Sequence, residues 1–244
     1  MERVPRCGCT DSGMFRRKKE DWLYFWVSLG LVLLANLISF QGSRLFTHGL
    51  FHHDLSLSAD AAVPFLPWTI VIYFGCFGAW FLFYCYIAGL PRERADRFFC
   101  SNILGKAVCL LFFLFLPTTM ARPDVSGPSF WEFAMRFLYS VDTPDNLFPS
   151  IHCLNSWLCW AGVRGNRVVP FRIRAAALIT AIFVCLSTLT VRQHVLVDVL
   201  SGILLAEITY LLSSIPAVRG VFSRLTDQII QFLQSVFSSR ADRS

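Results

Sequence analysis

Residues 68–117 read WTIVIYFGCFGAWFLFYCYIAGL-PRERADR-FFCSNILGKAVCLLFFLFLP, two apolar blocks parted by seven residues of which five are charged. An α-helix rises 1.5 Å per residue, so about 20 apolar residues cross a ~30 Å hydrocarbon core. Both blocks meet that length. Trp68–Leu90 and Phe98–Pro117 are therefore expected as membrane-spanning helices joined by a tight charged turn. Trp22–Phe40, Ala175–Val191 and His194–Leu212 pass the same test further out. Ser150–Val163 is shorter and carries His152 and Asn155 near its start; alone it reads as a buried helix. Composition agrees with a membrane protein. Of 244 residues 55% are hydrophobic and 24 are Phe, only 16% are charged, and the mean hydropathy is +0.54. Soluble domains carry about 25% charged residues, so a disordered tail, a nucleic-acid-binding domain and most soluble enzymes are excluded.

The 22 Lys and Arg residues set the orientation. Arg3, Arg6, Arg16, Arg17, Lys18 and Lys19 precede the first span. Arg92, Arg94, Arg97 and Lys106 lie where the second and third meet. Arg164, Arg167, Arg172 and Arg174 part the fourth from the fifth, and Arg219, Arg224, Arg240 and Arg243 follow the last. Only Arg44, Arg122, Arg136 and Arg192 fall on the other side. Basic residues collect in cytoplasmic loops. That bias is satisfied if Ser150–Val163 also spans, since five spans would put the Arg164–Arg174 cluster outside. The expected fold is all-α: a polytopic membrane helix bundle with six transmembrane helices and both termini cytoplasmic. Residues 1–21 form a basic cytoplasmic arm, 22–213 the membrane domain and 214–244 an amphipathic tail.

The first span is not expected to be a cleaved signal, because a long charged segment precedes it and no small-residue cleavage site follows. The arm Arg16-Arg17-Lys18-Lys19 suits anionic lipid headgroups. Most of the nine cysteines sit in or beside spans as small hydrophobes, so no disulfides are expected. Cys7-Gly8-Cys9 alone is weak as a metal site. In the tail, Val218, Val221, Phe222, Leu225, Ile229, Phe232, Leu233 and Val236 recur at three- and four-residue steps, as in a helix lying on the inner membrane surface.

Ionisable residues inside spans are costly and call for a reason. His152 and His194 fall at the outer ends of their spans. Asp198, four residues after His194, lies one turn deeper on the same helix face. Arg122 and Arg192 belong to the same outer side. Two histidines, a carboxylate and two arginines thus converge from three stretches of sequence. Each has a plainer reading, as an interface histidine, a structural polar pair or a headgroup contact; their joint occurrence favours chemistry. The chemistry suggested is phosphoryl transfer through a phosphohistidine. A neutral imidazole attacks phosphorus, a carboxylate on its other nitrogen fixes the tautomer, and a second histidine carries the proton. Guanidinium groups hold phosphoryl oxygens, and neither a metal nor a cofactor is required. Glu207, about 20 Å below His194 at helical rise, is expected to pair with Lys106.

The run Phe148-Pro149-Ser150-Ile151-His152, followed by Ser187-Thr188, His194 and Asp198, resembles the type 2 phosphatidic acid phosphatase superfamily. That family's signature is Lys, six residues, Arg-Pro; then Pro-Ser-Gly-His; then Ser-Arg, five residues, His, three residues, Asp. The resemblance covers about Arg122 to Leu212. It implies His194 as nucleophile, Asp198 as its orienting carboxylate and His152 as general acid and base. Ser150 and Arg122 would bind phosphoryl oxygens. Phe115 stands where the first motif has Lys, Ile151 replaces Gly, and Thr188 replaces the Arg of the third motif. Arg192, one turn from Thr188 if the segment is helical, is expected to replace a missing cation.

Phe130–Phe137 is expected as a short interfacial helix and His52-His53-Asp54 as a solvated loop. The function expected is a metal-independent lipid phosphate phosphatase acting on a phosphatidate-like or isoprenoid phosphate in the outer leaflet. A transferase of the inositol phosphorylceramide synthase type, passing the group to an alcohol, is the second reading. A non-catalytic lipid-binding protein is the third. The partners expected are the bilayer and its lipid phosphates, not nucleic acid; the sequence is silent on oligomeric state.

Overall fold

In the computed structural model, which describes residues 19–241 with side chains from 22 to 238, the apolar blocks are helices. The basic arm up to Lys18 and Cys7-Gly8-Cys9 lie outside the described residues. Helix α1 (Lys19–Leu37) continues through a π-helical turn, Ile38–Gly42, into α2 (Ser43–Thr47). The first apolar block therefore runs past Phe40 to Thr47. Then follow α3 (Ile70–Ala88), α4 (Arg92–Phe115), α5 (Phe130–Val141), α6 (Ile151–Val163), α7 (Phe171–Thr190), α8 (Leu196–Leu212) and α9 (Pro216–Ala241). Pro91 and Pro170 stand at the N-caps of α4 and α7. Ser129 caps α5 with a reciprocal pair: its hydroxyl accepts the Glu132 N–H and the Glu132 carboxylate accepts the Ser129 N–H. The helix expected over Phe130–Phe137 is thus present. His53–Asp54 (β1) is exposed but not free loop, because it pairs in parallel with Thr118–Thr119 (β2).

The main helices run alternately up and down. At one end the last turn of the α1–α2 helix meets the approach to α6, where the Asn146 amide donates to the Phe40 carbonyl and the Ser43 hydroxyl. Tyr73, near the start of α3, stacks on His152, near the start of α6. The Ser150 N–H donates to the Asp198 carbonyl, joining the starts of α6 and α8. The opposite end carries the basic residues. There Tyr24 and Arg92 both donate to Asp96, and the Arg97 guanidinium lies over Tyr210. Helix α9 turns 87° from α8. It lays Phe222 against Phe99 and Thr226 and Asp227 against Arg92, while Val221, Phe232 and Phe237 on its other sides stay exposed.

Trp22–Thr47, Pro67–Ala88, Arg92–Phe115 and Phe171–Thr190 are long and apolar enough to cross a membrane, and α8 joins them only together with α9. The chain is a multi-pass integral membrane protein with four or five such helices among the described residues. The short α6 is its centre. None of the 13 residues of α6 is exposed, and it packs on α3, α4, α7 and α8. Close approach depends on glycines. A Cβ at Gly105 would meet Leu154 at 2.9 Å, and one at Gly202 would meet the Ser150 carbonyl oxygen at 2.6 Å.

The Lys106–Glu207 pair does not form. Glu207 takes a bidentate pair from Arg164 and a hydrogen bond from the Trp157 indole. The Lys106 ammonium, fully buried, donates to Asn102 at 3.2 Å and Asn155 at 2.8 Å. The two side chains lie at different depths, Lys106 level with Asn155 near the start of α6 and Glu207 level with Arg164 just past its end. Counting residues along one span does not fix depth across the bundle, and here α6 and the residue after it supply a different partner to each.

Candidate active site

Helix α7 ends at Thr190, and the chain reverses through Arg192, which has φ 54°. Left-handed backbone at a helix end closes a Schellman-type turn, and the Gln193 and His194 N–H groups both donate to the Thr188 carbonyl. The turn delivers Gln193 and His194 to the cavity and sends the Arg192 side chain the other way. The Arg192 guanidinium donates to the carbonyls of Asp60 and Val63. The placement of Arg192 beside Thr188 is therefore corrected. It assumed continuing helix, whereas the helix has ended and the side chain clasps the loop before α3.

That loop holds the segment from both sides. Asp60 is buried, and its two carboxylate oxygens accept the N–H groups of Leu196, the first residue of α8, and Leu57. Asp198 lies in the first turn of α8. One of its oxygens accepts the Val195 N–H at 3.0 Å and faces His194 Nδ1 at 3.3 Å; the other is buried without a partner. A carboxylate at a helix N-terminus is favoured by the helix dipole. It leaves Nε2 as the free nitrogen of His194.

His152, in the first turn of α6, faces His194 with ring centroids 5.9 Å apart. Aromatic rings from α3 surround it: Tyr73 at 4.6 Å, Trp80 at 5.6 Å and Phe77 at 6.1 Å. The Tyr73 hydroxyl donates to the Asp142 carboxylate at 2.6 Å. These groups, with Asn155 and Gln193, line a cavity of about 260 Å³.

Arg122 and Ser150 do not line it. The Ser150 hydroxyl caps α6 by accepting the Cys153 N–H. Arg122 stands one layer back. Its guanidinium lies over the Tyr139 ring and donates to the Asp142 carbonyl and to the Gln193 amide oxygen. Burial pulls its pKa below the usual arginine value, with Asp142 opposing. Sequence reading thus found His152, His194 and Asp198 but missed Gln193, Asp142, Tyr73 and Asp60. Only Gln193 left a trace, a polar residue directly before the motif histidine. Among the described residues, no cluster of three His, Cys, Asp or Glu side chains converges as a metal centre would require.

The fold and the cavity define a multi-pass helical membrane protein with two histidines facing each other at one end of the bundle. Residues 121–215, from the Arg122 loop past the end of α8, match the family model of the PAP2 superfamily, the type 2 phosphatidic acid phosphatase superfamily of the motif resemblance. Members are generally phosphatases or phosphotransferases. Neither a curated protein nor a solved structure matches the chain.

Proposed function

We propose that the protein transfers the phosphoryl group of a membrane lipid through a phosphohistidine on His194. The observation that carries this reading is the facing pair His152 and His194, with Asp198 held on Nδ1 of the latter. Nε2 of His194 attacks phosphorus, and Asp198 stabilises the positive charge that develops on the ring. His152 gives its proton to the departing oxygen and takes one back from the incoming acceptor. An attacking nitrogen starts about 3–3.5 Å from phosphorus, and a proton donor sits about 2.6–3.2 Å from the leaving oxygen.

The motif resemblance implies a phosphatidate-like or isoprenoid phosphate and water as acceptor. The protein is then a lipid phosphatase, while an alcohol acceptor makes it a transferase. The alternation of helices supports six spans with both termini cytoplasmic, and the basic residues at the far end support a cavity opening on the non-cytoplasmic face. Wild type and His194→Ala, purified in detergent, are offered a panel of lipid phosphates while free phosphate and phospholipid products are followed together. Turnover by wild type alone is expected; equal turnover by His194→Ala rejects the reading, and a merely lipid-binding protein shows none in either.

A further inference from the structure

The charges that line the cavity are unlike those a phosphomonoester needs. Such a group carries close to two negative charges at neutral pH, and its sites supply cations. Here no arginine or lysine is among the lining residues, and two carboxylates are, Asp142 and Asp145. Asp145 is paired with Arg44 at the rim. Among the described residues, the Asp142 carboxylate makes no direct ion pair; it takes a hydrogen bond from the Tyr73 hydroxyl, and Arg122, bound to the Asp142 backbone carbonyl, acts on it only through space.

The cations stand behind amides. Arg122 donates to the Gln193 amide oxygen and Lys106 to that of Asn155, and both amides line the cavity. With its oxygen turned to Arg122, Gln193 presents its NH2. That nitrogen is buried without a partner, on a side chain 1% exposed beside His194. It is a donor waiting for an acceptor oxygen. Neutral donors backed by cations behind them suit a singly charged phosphate, while a carboxylate with no direct ion pair beside aromatic rings suits a positive group.

We propose that the cavity takes a zwitterionic phosphodiester lipid, its phosphate on the Gln193 and Asn155 amides and its headgroup ammonium at Asp142, walled by Tyr73 and Phe40. This assignment rests on the reading of His194 above and departs from the monoester the motif resemblance implies. The chemistry balances for a diester. His194 Nε2 forms a bond to phosphorus, the phosphorus–oxygen bond to the lipid glycerol breaks, and His152 protonates that oxygen, releasing diacylglycerol. Water or an alcohol then bonds to phosphorus, gives its proton to His152 and displaces the His194 nitrogen with the headgroup phosphate attached.

The test separates the two layers. Binding of dihexanoyl phosphatidylcholine, phosphatidate and phosphatidylinositol to His194→Ala in detergent reads the cavity without turnover. Phosphatidylcholine is expected to bind about tenfold more tightly than either of the others, and Asp142→Asn in the same background is expected to erase the difference. Phosphatidate or phosphatidylinositol binding as well as phosphatidylcholine, or a preference that survives Asp142→Asn, overturns the headgroup assignment. Should Asp142→Asn not fold, free choline must displace phosphatidylcholine from the unaltered Asp142 cavity; failure to do so overturns it equally. If wild type turns over phosphatidate, His194→Ala does not, and phosphatidate binds best, the reading of His194 stands and the headgroup assignment falls. If His194→Ala turns over lipid as fast as wild type, the reading itself falls.

Discussion

Arg122 and Arg192 are both arginines on the cavity side of the bundle, yet their guanidinium groups do different things. Arg192 binds two carbonyls of the loop before α3, so Arg192→Gln is expected to cost about 1–3 kcal/mol of stability and to leave the substrate KM within about twofold, as is usual for a change outside the binding site. Arg122 fixes the Gln193 amide, so Arg122→Gln is expected to weaken lipid binding or turnover about tenfold or more, the scale of a lost charge-assisted hydrogen bond. Denaturation midpoints and steady-state kinetics of the two variants decide. An Arg192→Gln protein of normal stability with a tenfold higher KM reverses the assignment. The histidines and Asp198 were legible because polar residues in apolar helices stand out and a four-residue step fixes a shared face. Gln193 and Asp142 were not, since their roles depend on which way a turn and a loop face. Spacing along the chain does not encode that.

Helices α6 and α8 must touch for Ser150 to meet the Asp198 carbonyl, and Gly202 is where they do. A valine there drives carbon into the Ser150 carbonyl oxygen. Gly202→Val is expected to cost roughly 1–3 kcal/mol or more through overpacking and to lower turnover along with stability. A variant of wild-type melting temperature contradicts the close contact. The ion pairs make a second test at this scale. Arg164 and Glu207 are each about one-third exposed, so a double-mutant cycle is expected to return a coupling of about 0.3–1 kcal/mol. The cycle between Lys106 and Glu207 is expected to return none. Both helices were legible as apolar blocks; their pairing was not. A sequence gives each residue's position along its own helix, and its neighbour only through packing. The same reason hid the continuation of the first helix to Thr47, where Gln41, Ser43 and Arg44 look like loop but remain helical.

For the molecule as a whole, hydropathy and charge were sufficient to read an all-α membrane bundle with most of its basic residues toward one end. They were insufficient to count the helices of spanning length, because the central one, α6, is short and shielded by four neighbours. That shielded helix carries His152, and His194 stands opposite it. The proposed reaction passes the lipid's phosphorus onto His194. The direct measurement is a rapid alkaline quench of the detergent-solubilised protein during turnover of phosphatidylcholine and of phosphatidate, followed by mass spectrometry of the peptide that contains His194. An acid-labile phosphorus adduct on His194, absent from His194→Ala, is the predicted result. Lipid turnover with no adduct on His194, or turnover undiminished in His194→Ala, would contradict it.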